Sequence, residues 1–255
     1  MNWIRTIIAA FSMFSRIPMP RVRWDEKSMR YMLCAFPLIG VVIGLLLWGW
    51  QGLANWLALG NFLYSAGFVL IPIAVTGGIH LDGFCDTVDA LSSHAPMQKK
   101  LEILKDSRMG AFAAIGVGCY LIFYTALAAE LDKSGAAILL FSCGFVLERA
   151  LSGFSVIAFP KAKKEGLVKT FEEAAAAKKS GVILLVIAAI IVGTMITIKP
   201  IYGAVLTAAA GIAYFYYYRM SKKQFGGITG DLAGFFLQVC EIVMLTALTV
   251  MQKWL

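Results

Sequence analysis

Residues 181–198 read G-V-I-L-L-V-I-A-A-I-I-V-G-T-M-I-T-I, a full run without one charged side chain. About 20 apolar residues in a helix cross the ~30 Å hydrocarbon core of a bilayer, so this stretch is predicted to span a membrane. Six further apolar stretches repeat the pattern at 31–54, 59–79, 110–129, 135–159, 200–218 and 231–254. Composition agrees. Hydrophobic residues make up 60% of the 255 positions and charged residues 15%, where a soluble domain carries roughly 45–50% and about 25%. A mean hydropathy of +0.77 excludes an ordinary soluble globule, a disordered chain and a secreted disulfide scaffold. The expected fold is all-α: a polytopic membrane bundle of about seven transmembrane helices, forming one membrane-embedded unit over 1–255. Residues 1–17 are apolar but hold Arg5 and Arg16, which fits a helix lying in the interface rather than a span.

Charge placement orients the bundle. The net charge is +8, and its distribution matters more than its sum. Arg5, Arg16, Arg21, Arg23, Lys27 and Arg30 fall on one side of the predicted spans. So do Lys99, Lys100, Lys105, Arg108, Lys161, Lys163, Lys164, Lys169, Lys178, Lys179, Arg219, Lys222 and Lys223. Lys133, Lys199 and Lys253 fall on the other, and Arg149 lies within a span. Nineteen against three makes the long polar loops cytoplasmic by the positive-inside rule, with the N-terminus inside and the C-terminus outside. Basic residues placed in this way speak for a lipid bilayer as partner and against nucleic acid. Five scattered cysteines without a C-x-x-C pair give no metal or disulfide framework. The N-terminus shows no small-residue cleavage site, so no secretory signal is expected. The basic, Ala-rich stretch 160–180 reads as a topology determinant, and the aromatic run from Tyr214 to Tyr218 as an interfacial belt.

One polar segment carries chemistry. Between the second and third spans stands T-G-G-I-H-L-D-G-F-C-D-T-V-D-A-L, and then K-D-S-R-M-G. Asp82, Asp86 and Asp89 have offsets of 0, 4 and 7, which puts them on one face of a helix. Three stacked carboxylates repel, yet no Lys or Arg occurs between residues 31 and 98. A hard divalent cation removes that repulsion, and Mg²⁺ favours carboxylate oxygen together with water and phosphate. Asp106, flanked by Lys105 and Arg108, could face the trio from the next span. Basic groups beside a carboxylate–metal cluster suit a di- or triphosphate ligand. His80 precedes Asp82 by two positions and on a helix points away from the acidic face.

A second constellation, G-G-I-T-G-D-L-A-G-F-F-L-Q-V-C-E, lies near the other end. Asp231, Gly234, Gln238 and Glu241 again share one helix face. Glu241 stands ten residues in, about 15 Å deep at 1.5 Å per residue. A carboxylate at that depth marks a functional or paired position, and Arg149 is its expected counter-ion. Thr229 and Asp231 could cap a helix N-terminus, an end that phosphate also uses. The repeated G-G-I-x-x-D, at 77–82 and 226–231, is compatible with an internal duplication.

These residues together resemble the cobalamin synthase family, the adenosylcobinamide-GDP ribazoletransferases. The resemblance rests on G-G-I-H-L-D-G-F-C-D-T-V-D-A-L (77–91) followed by L-E-I-L-K-D-S-R-M-G-A-F (101–112). It extends to F-S-R-I-P-M-P (14–20), F-P-L-I-G (36–40) and G-G-I-T-G-D (226–231) with Glu241, and so covers essentially the whole chain. Ala90 departs from the pattern, where Gly is expected after the third aspartate. The resemblance implies a Mg²⁺-dependent enzyme of the bacterial inner membrane, its active site facing the cytoplasm. It implies attack by α-ribazole or its 5′-phosphate on adenosylcobinamide-GDP, with GMP released. On that reading Asp82, Asp86 and Asp89 hold the metal. His80, Arg108, Thr229, Asp231, Gln238 and Glu241 bind substrate. Lys105 assists, and Asp89 or Asp106 rather than His80 helps deprotonate the attacking hydroxyl.

Two other classes compete. A CDP-alcohol phosphotransferase would use a similar aspartate array, but its D-G-x2-A-R element is missing, since Asp82-Gly83 is followed by Phe84, Cys85 and Asp86. An ion-coupled transporter would distribute charge along a midplane path of broken helices, whereas the carboxylates here gather at one face. A homo-oligomer is left open.

Overall fold

A computed structural model describes residues 3–21, 29, 31–162 and 176–254. Among them the chain is helical, with a single isolated bridge between Lys161 and Ile228. An amphipathic α1 (Trp3–Phe14) buries Thr6, Ala9, Ala10 and Phe11 on one side and leaves Trp3 and Ile4 exposed. That is the pattern of a helix lying in a membrane interface. A short α2 (Met32–Ala35) runs into α3 (Pro37–Trp56), and α4 (Asn61–Thr76) returns. Then follow α5 (Ile79–Ser92), α6 (Met97–Ile103), α7 (Ala111–Glu130) and α8 (Gly135–Ala158). The last three are α9 (Ala177–Ile198), α10 (Pro200–Phe225) and α11 (Gly230–Met251).

The central helix is α8, the most deeply buried of the spans, with α3, α9 and α11 packed around it. Small residues make this closeness possible. A Cβ on Gly40 would meet the Phe145 carbonyl oxygen of α8, and one on Gly44 would stand 2.8 Å from the Ser142 Cβ. This is a Gly-x-x-x-Gly contact of the kind that draws membrane helices together. In contrast α7 and α9 turn most of their apolar surface outward, Ile122 and Ile190 among it. Lipid tails are the environment that accepts such surface.

Five helical segments are long and apolar enough to cross a membrane, or six if the bent α4–α5 pair counts as one span. The seven apolar stretches read from the sequence all fall on helices, and two differ from that reading in extent or character. The stretch 59–79 yields only the 16 residues of α4, because the chain turns at Gly77. The stretch 200–218 belongs to the 26-residue α10, whose second half carries the aromatic run from Tyr214 to Tyr218 and then Arg219, Lys222 and Lys223. That helix has the length of a span without the hydropathy of the other five.

The break that matters is between α4 and α5, whose axes differ by 96°. Gly77 and Gly78 both take positive φ, +66° and +78°, a left-handed conformation that side-chain-bearing residues rarely adopt. Two in succession turn the chain and lay α5 across the end of the bundle. Arg16 follows the same corner: its N–H donates to the Val75 carbonyl at 2.8 Å, and its side-chain methylenes lie over Gly77.

Candidate active site

The acidic helix α5 is locked against the start of α11. Gly83 sits on the Asp231 backbone, where a Cβ would stand 2.6 Å from the carbonyl oxygen, and Gly234 sits on His80, 3.0 Å from its carbonyl by the same measure. The two polar segments read from the sequence therefore meet. Lys100 of α6 donates to Gln224 of α10 at 2.5 Å and closes the same end of the molecule. The turn before α11 is held from behind: Ile228 N–H donates to the Pro160 carbonyl and Ala162 N–H to the Ile228 carbonyl.

On this platform the charges of Asp82, Asp231 and Asp89 all act on Asp86. Asp231 takes a hydrogen bond from the Thr229 hydroxyl at 3.3 Å, and Thr229 caps α11 by accepting from Leu232 N–H. Thr229 and Asp231 thus do form the helix start that the sequence allowed. The third member of the trio is engaged elsewhere. Asp89 accepts from Gly110 N–H at 2.6 Å and from Ala113 N–H at 2.8 Å. It supplies the cap that Gly110, without a side chain, cannot give to α7.

Asp106 and Arg108 stand apart in the loop between α6 and α7. The Arg108 guanidinium clasps both oxygens of Asp106, at 2.9 and 2.7 Å, and its backbone N–H adds a third bond at 3.0 Å. These bonds hold the partly exposed Asp106 carboxyl down at about 2. Lys105 is exposed beside it. Asp106 precedes α7 rather than opening it, and its immediate partner is Arg108, not the α5 trio.

Beneath the acidic platform lies a buried polar core. His80 is 6% exposed, packs edge-on against Phe36 at 5.7 Å, and its Nε2 has no hydrogen-bond partner. Arg149 is fully buried, and its salt bridge at 2.5 Å is to Glu148, with a second bond to the Phe145 carbonyl. The salt bridge of Arg149 is thus with Glu148, where the sequence pointed to Glu241, while the Arg149 charge also acts on Glu241. Glu241 is instead part of a larger set: Tyr120 and Tyr124 of α7, Glu148 and Arg149 of α8, and Glu241 of α11 all leave buried polar atoms without partners. Sequence reading passed over Glu148, Tyr120 and Tyr124. The usable signal was the Glu-Arg dipeptide inside an apolar run.

The acidic platform offers hard oxygen donors, the chemistry that Mg²⁺ selects. Among the described residues no three His, Cys, Asp or Glu side chains stand close enough to form a complete metal cage. Mg²⁺ commonly takes one or two carboxylates and completes its shell with water and substrate phosphate, so the chemistry of the acidic helix suits that ion, while the three-aspartate site expected from the sequence is not assembled as a ready set of ligands.

Comparison with known proteins then identifies the lineage. The family model described as cobalamin-5-phosphate synthase matches residues 6–249. A protein of Lachnoclostridium phytofermentans named adenosylcobinamide-GDP ribazoletransferase is 42% identical over 244 residues, 95% of this chain and 92% of its own length. Proteins of the same name from Clostridium botulinum and Geobacillus kaustophilus are 32% and 30% identical. They align with 95% and 93% of this chain and over 96% and 92% of their own lengths. No solved structure matches. With the acidic helix, the Gly-Gly turns and the membrane bundle all in one frame, the chain belongs to the cobalamin-5-phosphate synthase family.

Proposed function

We propose that this enzyme transfers adenosylcobinamide phosphate from adenosylcobinamide-GDP to α-ribazole, or to its 5′-phosphate, and releases GMP. The observation that carries the reading is the docking of α5 on the Asp231 turn through Gly83, which brings the Asp231 charge to bear on Asp86 of the acidic face. In the transfer, the acceptor hydroxyl oxygen bonds to the phosphorus next to cobinamide. The bond from that phosphorus to the GMP oxygen breaks, and the hydroxyl proton passes to a carboxylate and on to solvent. Bound Mg²⁺ would offset the charge that develops on the leaving phosphate.

Asp82 and Asp86 are assigned to the metal, with Asp89 at the end of the same face. Asp231 and the α11 N-terminus lie where phosphate oxygens would be received. Arg108 and Lys105 supply cationic side chains on the adjoining loop, and Asp89 or Asp106 is assigned to the hydroxyl proton. The geometry weighs on this last assignment, since Asp89 already serves two backbone N–H groups and Asp106 a guanidinium. His80 acts from below the platform.

The purified protein in detergent, given adenosylcobinamide-GDP, α-ribazole and Mg²⁺, should release GMP in step with the cobamide product. Absence of both products from a folded preparation would overturn the reading. The nineteen-to-three charge asymmetry supports an active site facing the cytoplasm of a bacterial inner membrane. Single cysteines placed at Ser107 and Lys223, both exposed, in a background without the native cysteines should react only from the cytoplasmic side. Labelling from the periplasm would reverse the topology.

A further inference from the structure

Among the described residues two cations are buried, Arg149 at 0% exposed and Lys100 at 7%. Arg149 has the Glu148 carboxylate. Lys100 has no carboxylate partner among the described residues; its ammonium donates to the side-chain oxygen of Gln224, a neutral group. An ammonium carries three N–H donors and no acceptor, so this bond leaves donors unused and the charge unbalanced. Buried charges are normally paired, because an isolated one is costly to take out of water. The negative end of the α10 dipole favours a cation here, but it does not use the remaining N–H groups. Gln224 in turn commits its carbonyl oxygen to Lys100 and keeps an NH₂ group that only donates. Gln224 is half-buried, so this cluster of donors is reached from outside.

We propose that Lys100, held in place by Gln224, binds a phosphate group of a transferase substrate. The assignment rests on the transferase reading. A group that completes this pair must be anionic and must accept several hydrogen bonds, and phosphate does both, with lysine as its point charge. The donor brings a diphosphate, and the acceptor brings a phosphate when it is the 5′-phosphate of α-ribazole. Position agrees. Lys100 lies on α6, which follows α5 and packs on both α5 and α10. Gln224 stands in the last turn of α10, seven residues before Asp231. Met97, three residues before Lys100, covers Gly226, where a Cβ would stand 3.1 Å from its sulfur. The ammonium is thus built into the edge of the platform that carries the acidic helix. Charge agrees as well. Arg108, expected at the phosphates, spends its guanidinium on both oxygens of Asp106, whereas no carboxylate opposes Lys100.

The test is equilibrium dialysis of the purified full chain in detergent against GMP, α-ribazole 5′-phosphate and unphosphorylated α-ribazole, with KM values and melting temperatures alongside. Lys100→Met keeps the apolar stem and removes the charge. Loss of one charge-assisted bond should weaken at least one of the two phosphate-bearing ligands about tenfold, with α-ribazole changed less than about twofold. The melting temperature should stay the same or rise, since an unbalanced buried charge is gone. Lys100→Gln keeps a hydrogen bond to Gln224 and should lose the same affinity, and it decides the matter if the Met variant does not insert. Weaker GMP binding with a raised donor KM puts the donor's phosphate on Lys100. Weaker α-ribazole 5′-phosphate binding with a raised KM for that acceptor alone puts the acceptor's phosphate there. Unchanged affinity for both phosphates overturns the site, and so does a lower melting temperature with every KM unchanged, the mark of a strut between α6 and α10. Wild-type protein whose GMP affinity depends on Lys100 but which forms no cobamide product defeats the transferase reading alone. Variants that turn over normally with both affinities intact defeat the Lys100 site alone.

Discussion

Gly83 of α5 rests directly on the backbone of Asp231 at the start of α11, so near that an added Cβ would stand 2.6 Å from the Asp231 carbonyl oxygen. This contact couples the acidic helix to the turn that would receive phosphate. Backbone cannot step aside as a flexible side chain can. Gly83→Ala should force the two helices apart at an overpacking cost of about 1–3 kcal/mol. Displacement of about 1 Å between reacting groups can cost ~100-fold in rate. GMP release by Gly83→Ala should therefore fall 10- to 100-fold while the protein still inserts and melts cooperatively. Activity within twofold of wild type would show that the register of α5 on α11 does not set the site.

Asp82 and Asp86 test the metal. Asn preserves shape and removes charge, so Asp82→Asn and Asp86→Asn should each abolish turnover in correctly inserted protein. The wild type should lose GMP release on chelation and regain it with Mg²⁺. A variant that retained wild-type turnover and Mg²⁺ dependence would remove that residue from the metal site.

The Glu148–Arg149 pair, both side chains wholly buried, makes a prediction about stability. Breaking a buried ion pair at one end leaves an uncompensated charge and costs about 3–5 kcal/mol, while replacing both partners with apolar groups is often nearly neutral. Arg149→Met should reduce folded yield sharply, and Glu148→Leu with Arg149→Met should recover much of it. Combining Arg149→Met with Glu241→Leu should recover less. Equal recovery by both double variants would mean that Arg149 is shared evenly between the two glutamates.

How legible was all this in the sequence? The apolar runs, the acidic face and the Gly-Gly dipeptides are local signals, and they led to the membrane bundle and to α5. The 96° bend could not be read, because a Gly-Gly pair permits positive φ without requiring it. Glu148 was missed for a geometric reason. Adjacent residues on a helix do not face each other, which turned the search for a partner of Arg149 to other helices, yet arginine is long enough to fold back on its neighbour. Asp89 shows the remaining limit. Its role in α7 depends on residues 21 and 24 positions away, and no periodicity reports such a contact.

Asp106 supports a prediction about pH. The hydrogen bonds from Arg108 keep its carboxyl at about 2, below the ordinary Asp value near 3.9. A depressed folded pKa stabilises above the unfolded value and loses that effect as pH falls toward 2. Asp106 therefore stays ionised throughout the working range and titrates nothing there. Asp106→Asn should lower turnover without moving either limb of the pH–rate profile between pH 5 and 9. A shift of the acidic limb in that variant would show that the Arg108 clasp opens when substrate binds.

Asp89 is the residue on which the metal, base and structural roles compete. Both of its oxygens accept backbone N–H groups at the start of α7, and carboxylates are favoured at such helix ends by capping and by the helix dipole. Asp89→Ala leaves two N–H groups without partners and should cost about 2 kcal/mol or more, seen as a lower melting temperature in detergent. Asp89→Asn keeps one accepting oxygen but turns an amide N–H toward the second donor, so it should fall between alanine and wild type. Gly110→Ala attacks the same contact from the other side, since its Cβ would stand 2.6 Å from Asp89 Oδ2, and should destabilise without removing any carboxylate. If Asp89 also takes the hydroxyl proton, Asp89→Asn should lose turnover far beyond its loss of folded protein, whereas Gly110→Ala should lose the two in proportion. Wild-type melting in Asp89→Ala would reject the cap, and turnover per folded molecule that is equal in Asp89→Asn and Gly110→Ala would reject the base.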